Sequence, residues 1–180
     1  MTKLALMTTA LGSIMACIYM LMVIIPAPMR VWFKKFPRSR WSGAVLAAID
    51  LICVEWILHN AALGRFEHLR LLLYLLGPIV FLLVVKFMNE LLAPRALGGL
   101  LLLIPAPILA EARLHDTAFR YVIIVIAYIL IIKGTILMLS PYKFRQWGNL
   151  LAKNEGSCRL WGVIGLGFAI FILYLGIAVY

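Results

Sequence analysis

The sequence is poor in charge and short of the residues that usually build catalytic or metal sites. Only 13% of its 180 residues are charged, and it has seven acidic residues, three histidines and three cysteines. No Cys-x-x-Cys pair or His/Cys cluster occurs, so neither a disulfide framework nor a zinc site is supported. Glycine-rich phosphate loops and the common hydrolase and metalloprotease motifs are also absent. We therefore expect no cofactor, no metal and no enzymatic activity.

What the sequence has in excess is apolar residues. They make up 65% of the chain, and the mean hydropathy is +1.05. Soluble domains carry roughly 45–50% apolar and about 25% charged residues, so this composition predicts a multi-pass membrane protein in contact with the lipid bilayer. The net charge of +10 does not indicate a nucleic-acid partner. The basic residues are confined to short segments between apolar runs, where they orient helices in a bilayer.

Six apolar runs divide the chain. They cover residues 4–25, 43–62, 71–92, 96–110, 121–140 and 160–180. A helix needs about 20 apolar residues to cross roughly 30 Å of hydrocarbon. The fourth run is shorter and holds Pro105 and Pro107, so we expect it to be kinked or re-entrant. The predicted fold is an all-α integral membrane protein, a single transmembrane domain over 1–180. Its six transmembrane helices would form three helical hairpins at about 4–62, 71–112 and 120–180.

The basic residues predict how these helices are oriented. The turns after the first, third and fifth runs hold Arg30, Lys34, Lys35, Arg38, Arg40, Arg95, Lys143, Arg145, Lys153 and Arg159. The opposite side has only Lys3, Arg65, Arg70, Arg113 and Arg120. Because basic loops stay in the cytoplasm, both termini are predicted to lie on the opposite side of the membrane, which is the periplasmic side for a bacterial inner-membrane protein such as the resemblance given below implies.

The pattern Pro-x-x-x-Arg-x-Trp occurs twice, at 26–32 and at 141–147. We interpret both copies as cytoplasmic turns, and their Arg30, Trp32, Arg145 and Trp147 as a candidate lipid or partner interface. The segment 141–159 suits an amphipathic helix on the inner leaflet. It could bind anionic lipid, dock a partner or only anchor the topology.

The last predicted hairpin also resembles a known family. In residues 132–174 an apolar run is followed by Pro141, by a basic stretch with Trp147, and by Arg159-x-x-Gly162 at the start of the next run. These features resemble the small YjeT-like hairpin proteins of the bacterial inner membrane. The resemblance implies a bacterial inner-membrane protein and assigns no activity, because the function of that family is itself obscure.

Four ionisable residues lie inside the apolar runs and are the candidate functional residues: Asp50, Glu55, Lys86 and Lys133. Both lysines lie about 12 Å along the helix from a following proline, and Asp50 lies at a similar level. The four could relay protons, or bind an ion or a lipid headgroup. They could instead pair between helices and fix the helix order. Lys86 has a partner four residues on in Glu90, and we expect one acid to pair with Lys133.

These observations leave two functions open. The first is a non-enzymatic accessory or structural subunit of a bacterial membrane protein complex with protein partners, favoured by the short loops and the lack of catalytic motifs. The alternative is a small transporter or proton-coupled channel that uses the intramembrane acids and lysines. A lipid or quinone enzyme ranks last, because the sequence offers no further polar pocket.

Overall fold

The computed structural model describes residues 2–60, 70–87, 92–114, 119–151 and 154–180, and every element within them is helical. The helices are α1 (Lys3–Ile24), α2 (Pro26–Lys35), α3 (Arg40–Asn60), α4 (Arg70–Phe87), α5 (Leu92–Leu103), α6 (Pro105–Ala112), α7 (Arg120–Leu139), α8 (Tyr142–Leu151) and α9 (Glu155–Tyr174). A 3-10 turn, Phe36–Arg38, follows α2, and a π-helical turn, Leu175–Val179, extends α9.

Within those residues, five helical segments are long and apolar enough to cross a membrane. They are Lys3–Ile24, Arg40–His59, Leu92–Ala112, Arg120–Leu139 and Glu155–Val179. A shorter apolar helix, Tyr74–Phe87, corresponds to the third predicted run. The all-α prediction is therefore confirmed for the described residues, and the fold is compatible with a membrane protein. Each of the six predicted runs falls on a helix.

The fourth predicted run is longer than expected. Its candidate span begins at Leu92 rather than at residue 96 and joins α5 to α6. Pro94, which the sequence suggested as a turn, lies in the first turn of α5, where a missing backbone N–H breaks no helix bond. Ile104 joins the two helices with helical backbone angles, and Pro105 begins α6. Residues 88–91, which connect α4 to α5, are outside the described residues.

The helices pack in an order that does not follow the chain. The most extensive contacts pair α1 with α9, and α5 with both α3 and α7, whereas α4 packs mainly against α3. The core lies between α1, α6, α7 and α9, where Leu4, Ile108, Ile123 and Ile172 are buried. The short helices α2 and α8 contact each other.

Glycines allow the closest helix crossing. A Cβ atom on Gly98 of α5 would stand 2.9 Å from the carbonyl oxygen of Gly134 on α7, and one on Gly134 would stand 2.8 Å from the carbonyl oxygen of Gly98. Small residues at such crossings let two backbones approach each other, which is how apolar helices associate where lipid competes for their surfaces. The crossing fixes α5 against α7 and thereby positions the residues on the opposite face of α5.

Candidate functional site

Two acids on α3 point toward two different neighbouring helices. Asp50 and Glu55 are about 140° apart around a helix. The Oδ2 atom of Asp50 lies 2.9 Å from the position of a Cβ on Gly99 of α5, and the Oε1 atom of Glu55 lies 3.2 Å from that of Gly77 on α4. Each carboxylate thus approaches a backbone that has no side chain at that point.

A cavity of about 620 Å³ lies between α3, α4 and α5. Its wall is almost entirely apolar and includes Val54, Val80 and Phe81. Among the described residues, the ionisable groups on the wall are Asp50 and Arg95. A mostly apolar cavity of this size with a few convergent polar groups is typical of small-molecule sites.

The carboxylate of Asp50 has no partner on this wall. Its Oδ1 atom is buried and makes no hydrogen bond to any described residue. Asp50 and Arg95 line the same cavity, yet no ion pair joins Asp50 to a basic residue in the described part of the chain. A buried carboxylate without a hydrogen bond or a counter-charge is costly, so its environment must offer a compensating proton, cation or ligand for the charge to be kept.

The two predicted lysines lie apart from this cavity. Lys133 lines a second cavity of about 730 Å³ with Tyr19, Trp147 and Trp161, and Lys86 is exposed near the end of α4. No ion pair joins either lysine to Asp50 or to another described acid, so the expected pairing of Lys133 with an acid is not found there. The suggested partner of Lys86, at position 90, is not among the described residues. A shared depth in the membrane does not fix the direction in which a side chain points.

The four predicted interface residues belong to the two short amphipathic helices. Arg30 on α2 pairs with Glu155 at 3.7 Å. The Trp32 ring packs against Phe36 with 4.8 Å between centroids. On α8, Trp147 lines the larger cavity and Arg145 lines a small cavity between the two helices. The structure therefore brings the two copies of the sequence motif together at one end of the bundle.

Sequence reasoning missed Arg95, which lines the candidate site. Arg95 was interpreted as a topological charge, and the available signal was its spacing of four residues from Gly99, which puts both on one face of α5. A further contact links α3 to α4, because the Nδ1 atom of His59 lies 3.1 Å from the hydroxyl of Tyr74.

Comparison with known proteins finds no matching family model, no matching curated protein and no matching solved structure. In the part of the chain that the structure describes, the fold and the site define an all-helical protein with five helical segments long and apolar enough to cross a membrane. An acidic side chain and a basic side chain share an apolar cavity between three of its helices.

Proposed function

We propose that this chain is a small membrane transporter or proton-coupled channel whose central acid is Asp50. The observation that carries the proposal is the buried Oδ1 atom of Asp50, which has no described partner and faces a cavity of about 620 Å³ that also holds Arg95. The competing interpretation was that intramembrane charges pair with each other and fix the helix order. No such pair joins Asp50, Glu55 or Lys133 within the described residues.

The cost of this carboxylate supports a functional role. An acid inside a membrane span costs about 2.5–3.5 kcal/mol on insertion scales and is retained where it binds or moves something. Protonation of Asp50, or a cation in the cavity, would remove that cost. Alternate occupation of the carboxylate by a proton and by a substrate cation is the simplest coupling that this arrangement allows.

The helices around the cavity contain the features that a moving wall needs. Pro78 lies inside α4 and cannot donate a hydrogen bond to the preceding turn. Spans that a proline interrupts next to a binding site are a recurrent feature of transporters. Because α4 packs mainly against α3, its movement would disturb few other contacts.

The ends of the chain support six crossings. Thr2 Oγ1 donates a hydrogen bond to the carbonyl oxygen of Tyr180 at 2.9 Å, so residues 2 and 180 lie at the same end of the bundle. A chain that begins and finishes on one side crosses an even number of times. Within the described residues, five segments qualify as spans by length and composition, which supports α4 as the sixth. The helix pairs that would form the three predicted hairpins, α1 with α3, α4 with α5 and α7 with α9, are not among the pairs with extensive contacts, so the six spans are proposed without that pairing.

We further propose a bacterial inner membrane and periplasmic termini, on the basic-residue count and the YjeT-like resemblance of residues 132–174. Fusions at position 180 test the orientation, because alkaline phosphatase is active only in the periplasm and green fluorescent protein exported unfolded stays dark. We expect an active phosphatase fusion and a dark fluorescent fusion. The reverse result would place the termini in the cytoplasm.

Proton flux into liposomes tests the function itself. The purified chain is reconstituted with a pH-sensitive dye inside, and a potassium diffusion potential is imposed with valinomycin. We expect faster internal acidification than in protein-free liposomes, and its loss in Asp50→Asn. Glu155→Gln is the matched control, since Glu155 is an exposed acid outside the cavity. Wild-type flux no faster than that of protein-free liposomes, or full flux in Asp50→Asn, would overturn the proposal.

The second candidate function is the non-enzymatic accessory or structural subunit. It is favoured by the outer face of α4, where Leu75, Ile79 and Leu82 are 60%, 53% and 65% exposed on a helix that packs mainly against α3. A transmembrane helix of another subunit would cover that face. Cross-linking in native membranes followed by mild-detergent purification should then recover a partner in fixed proportion. Ile79→Ser should release it, and Leu6→Ser on α1 should not. Recovery of the chain alone would exclude this candidate.

A further inference from the structure

A small basic cavity lies between α2 and α8, away from the Asp50 site. Its volume is about 220 Å³. Three cationic side chains line it, Lys34 and Arg38 from one segment and Arg145 from the other, together with Asn149. The remaining described lining residues are Phe33 and Pro37, so no described acid lines the cavity. Three cations around one small volume repel one another, which an anion between them would relieve.

The cavity exists because the two copies of the Pro-x-x-x-Arg-x-Trp pattern pack together. The carbonyl oxygen of Phe33 lies 3.6 Å from the position of a Cβ on Gly148, so α2 and α8 approach closely at that glycine. Beside it, the rings of Phe36 and Phe144 have centroids 5.2 Å apart. This aromatic contact holds the basic faces of the two helices side by side.

Glu155, an acid that reaches α2, is already engaged. Glu155, at the start of α9, lies 3.7 Å from Arg30. It therefore compensates a charge outside the cavity and leaves the three lining cations without a described acidic partner. An external anion would be bound by the guanidinium groups, which present paired N–H donors to phosphate oxygens, by the lysine ammonium and by the amide of Asn149.

We propose that this cavity binds the phosphate of an anionic phospholipid. The charge alone would suit any phosphate, but the neighbouring cavity favours a lipid. The Phe33 side chain lines both the basic cavity and the cavity of about 730 Å³ between α1, α7 and α9. Apart from Lys133, the larger cavity is lined by apolar and aromatic residues, including Ile18, Ile164 and Phe168.

The two cavities match the two parts of a phospholipid. A headgroup phosphate would lie between Lys34, Arg38 and Arg145, and an acyl chain would extend past Phe33 into the larger cavity. The basic cavity lies where α1 and α7 have ended and the short amphipathic helices begin, the depth at which lipid phosphates lie in a bilayer. The bound lipid would hold α2 against α8.

Native mass spectrometry of the purified full chain tests this proposal. Dissociation constants are compared for long-chain phosphatidylglycerol, which is anionic, and phosphatidylcholine with the same chains. We expect about tenfold tighter binding of phosphatidylglycerol, and about tenfold weaker binding of it by Arg145→Gln, since a charged hydrogen bond contributes about this factor. Lys35→Gln is the matched control, because Lys35 is an exposed cationic residue of α2, next to Lys34, that does not line the cavity. Equal binding of the two lipids, or unchanged binding by Arg145→Gln, would overturn the proposal.

Two further arms separate the possible sources of the phosphate. Glycerol 3-phosphate and short-chain dihexanoyl phosphatidylglycerol carry similar phosphates without long acyl chains, and we expect both to bind about tenfold more weakly than the long-chain lipid. If glycerol 3-phosphate bound as tightly as the long-chain lipid, the ligand of this cavity would be a soluble phosphate compound and the lipid proposal would be wrong. Arg145→Lys guards against a folding defect: it keeps the charge but loses the paired donors, so an intermediate affinity is expected. Loss of binding in Arg145→Lys as complete as in Arg145→Gln, together with a lowered melting temperature in both, would overturn a phosphate-specific role.

Discussion

Replacement of Asp50 by leucine should stabilise the protein while it abolishes proton flux. The carboxylate has one buried oxygen without a hydrogen-bond partner, and such a group costs about 1–3 kcal/mol of stability. Leucine removes that cost and favours insertion into the membrane. Its extra volume can extend into the adjacent cavity of about 620 Å³, so overpacking against Gly99 should be small. We expect the free energy of unfolding to increase by about 1–3 kcal/mol.

Thermal unfolding in one detergent at one scan rate measures this change. In a chain of this size, each kcal/mol corresponds to about 2–4 °C in melting temperature. Asp50→Asn is the informative comparison, because it removes the charge but keeps two polar atoms and should gain less. Val45→Leu is the neutral control, since Val45 lies on the same helix and is 56% exposed.

A lower melting temperature for Asp50→Leu than for the wild type would refute the reasoning. It would mean that the carboxylate has a favourable partner in the folded protein. If the substitution stabilises the fold and removes proton flux together, the carboxylate is kept for what it does rather than for stability. If it stabilises the fold and leaves flux intact, Asp50 is not the coupling residue.

The remaining predictions concern the packing that holds the site. Gly98→Ala should lower the free energy of unfolding by about 1–3 kcal/mol, because its Cβ would stand 2.9 Å from the backbone oxygen of Gly134 and the two helices would have to separate. Gly167→Ala is its control, since a Cβ there has no neighbouring atom within 4 Å. This variant should leave the free energy of unfolding unchanged or raise it by up to about 1 kcal/mol. Tyr180→Phe should cost about 1 kcal/mol, because its hydroxyl donates a 2.7 Å hydrogen bond to a backbone carbonyl at the start of α7. Tyr174→Phe, 60% exposed, is its control. The melting temperatures of the four variants measure these effects. Equal shifts in Gly98→Ala and Gly167→Ala, or in Tyr180→Phe and Tyr174→Phe, would contradict the packing described.

The sequence predicted the helices well because hydrophobic length decides them. The first run was predicted at residues 4–25 and α1 is Lys3–Ile24; the fifth was predicted at 121–140 and α7 is Arg120–Leu139. The amphipathic helix expected after Pro141 is α8, which finishes at Leu151. The turn predicted at Pro94 was wrong, because Pro94 lies in the first turn of α5 and a helix tolerates proline there.

The sequence could not predict which helices contact each other. Spans that are apolar on all faces carry no stripe that points to a partner, so their packing is set by small residues such as Gly98 and Gly134. For the same reason the depth of Asp50 and Lys133 could be estimated from the turns, whereas their placement on two different cavities could not.

The sequence contains two repeats, the Pro-x-x-x-Arg-x-Trp pattern and a lysine eight residues before a proline at Lys86 and Lys133, and they differ in what they mean for the structure. The Pro-x-x-x-Arg-x-Trp copies meet as α2 and α8, because each begins just after a span ends and both spans end on one side of the bundle. The two lysine copies lie on α4 and α7, which are not among the helix pairs with extensive contacts. Pro141 precedes a short amphipathic helix, whereas Pro94 lies in the first turn of a candidate membrane span. A repeat in sequence thus predicted a contact only where both copies form a short helix directly after a candidate span. The phosphate-binding cavity proposed between α2 and α8 is formed by the two copies of the Pro-x-x-x-Arg-x-Trp pattern. Asp50, whose buried oxygen has no described partner, lies on α3, which neither repeat covers.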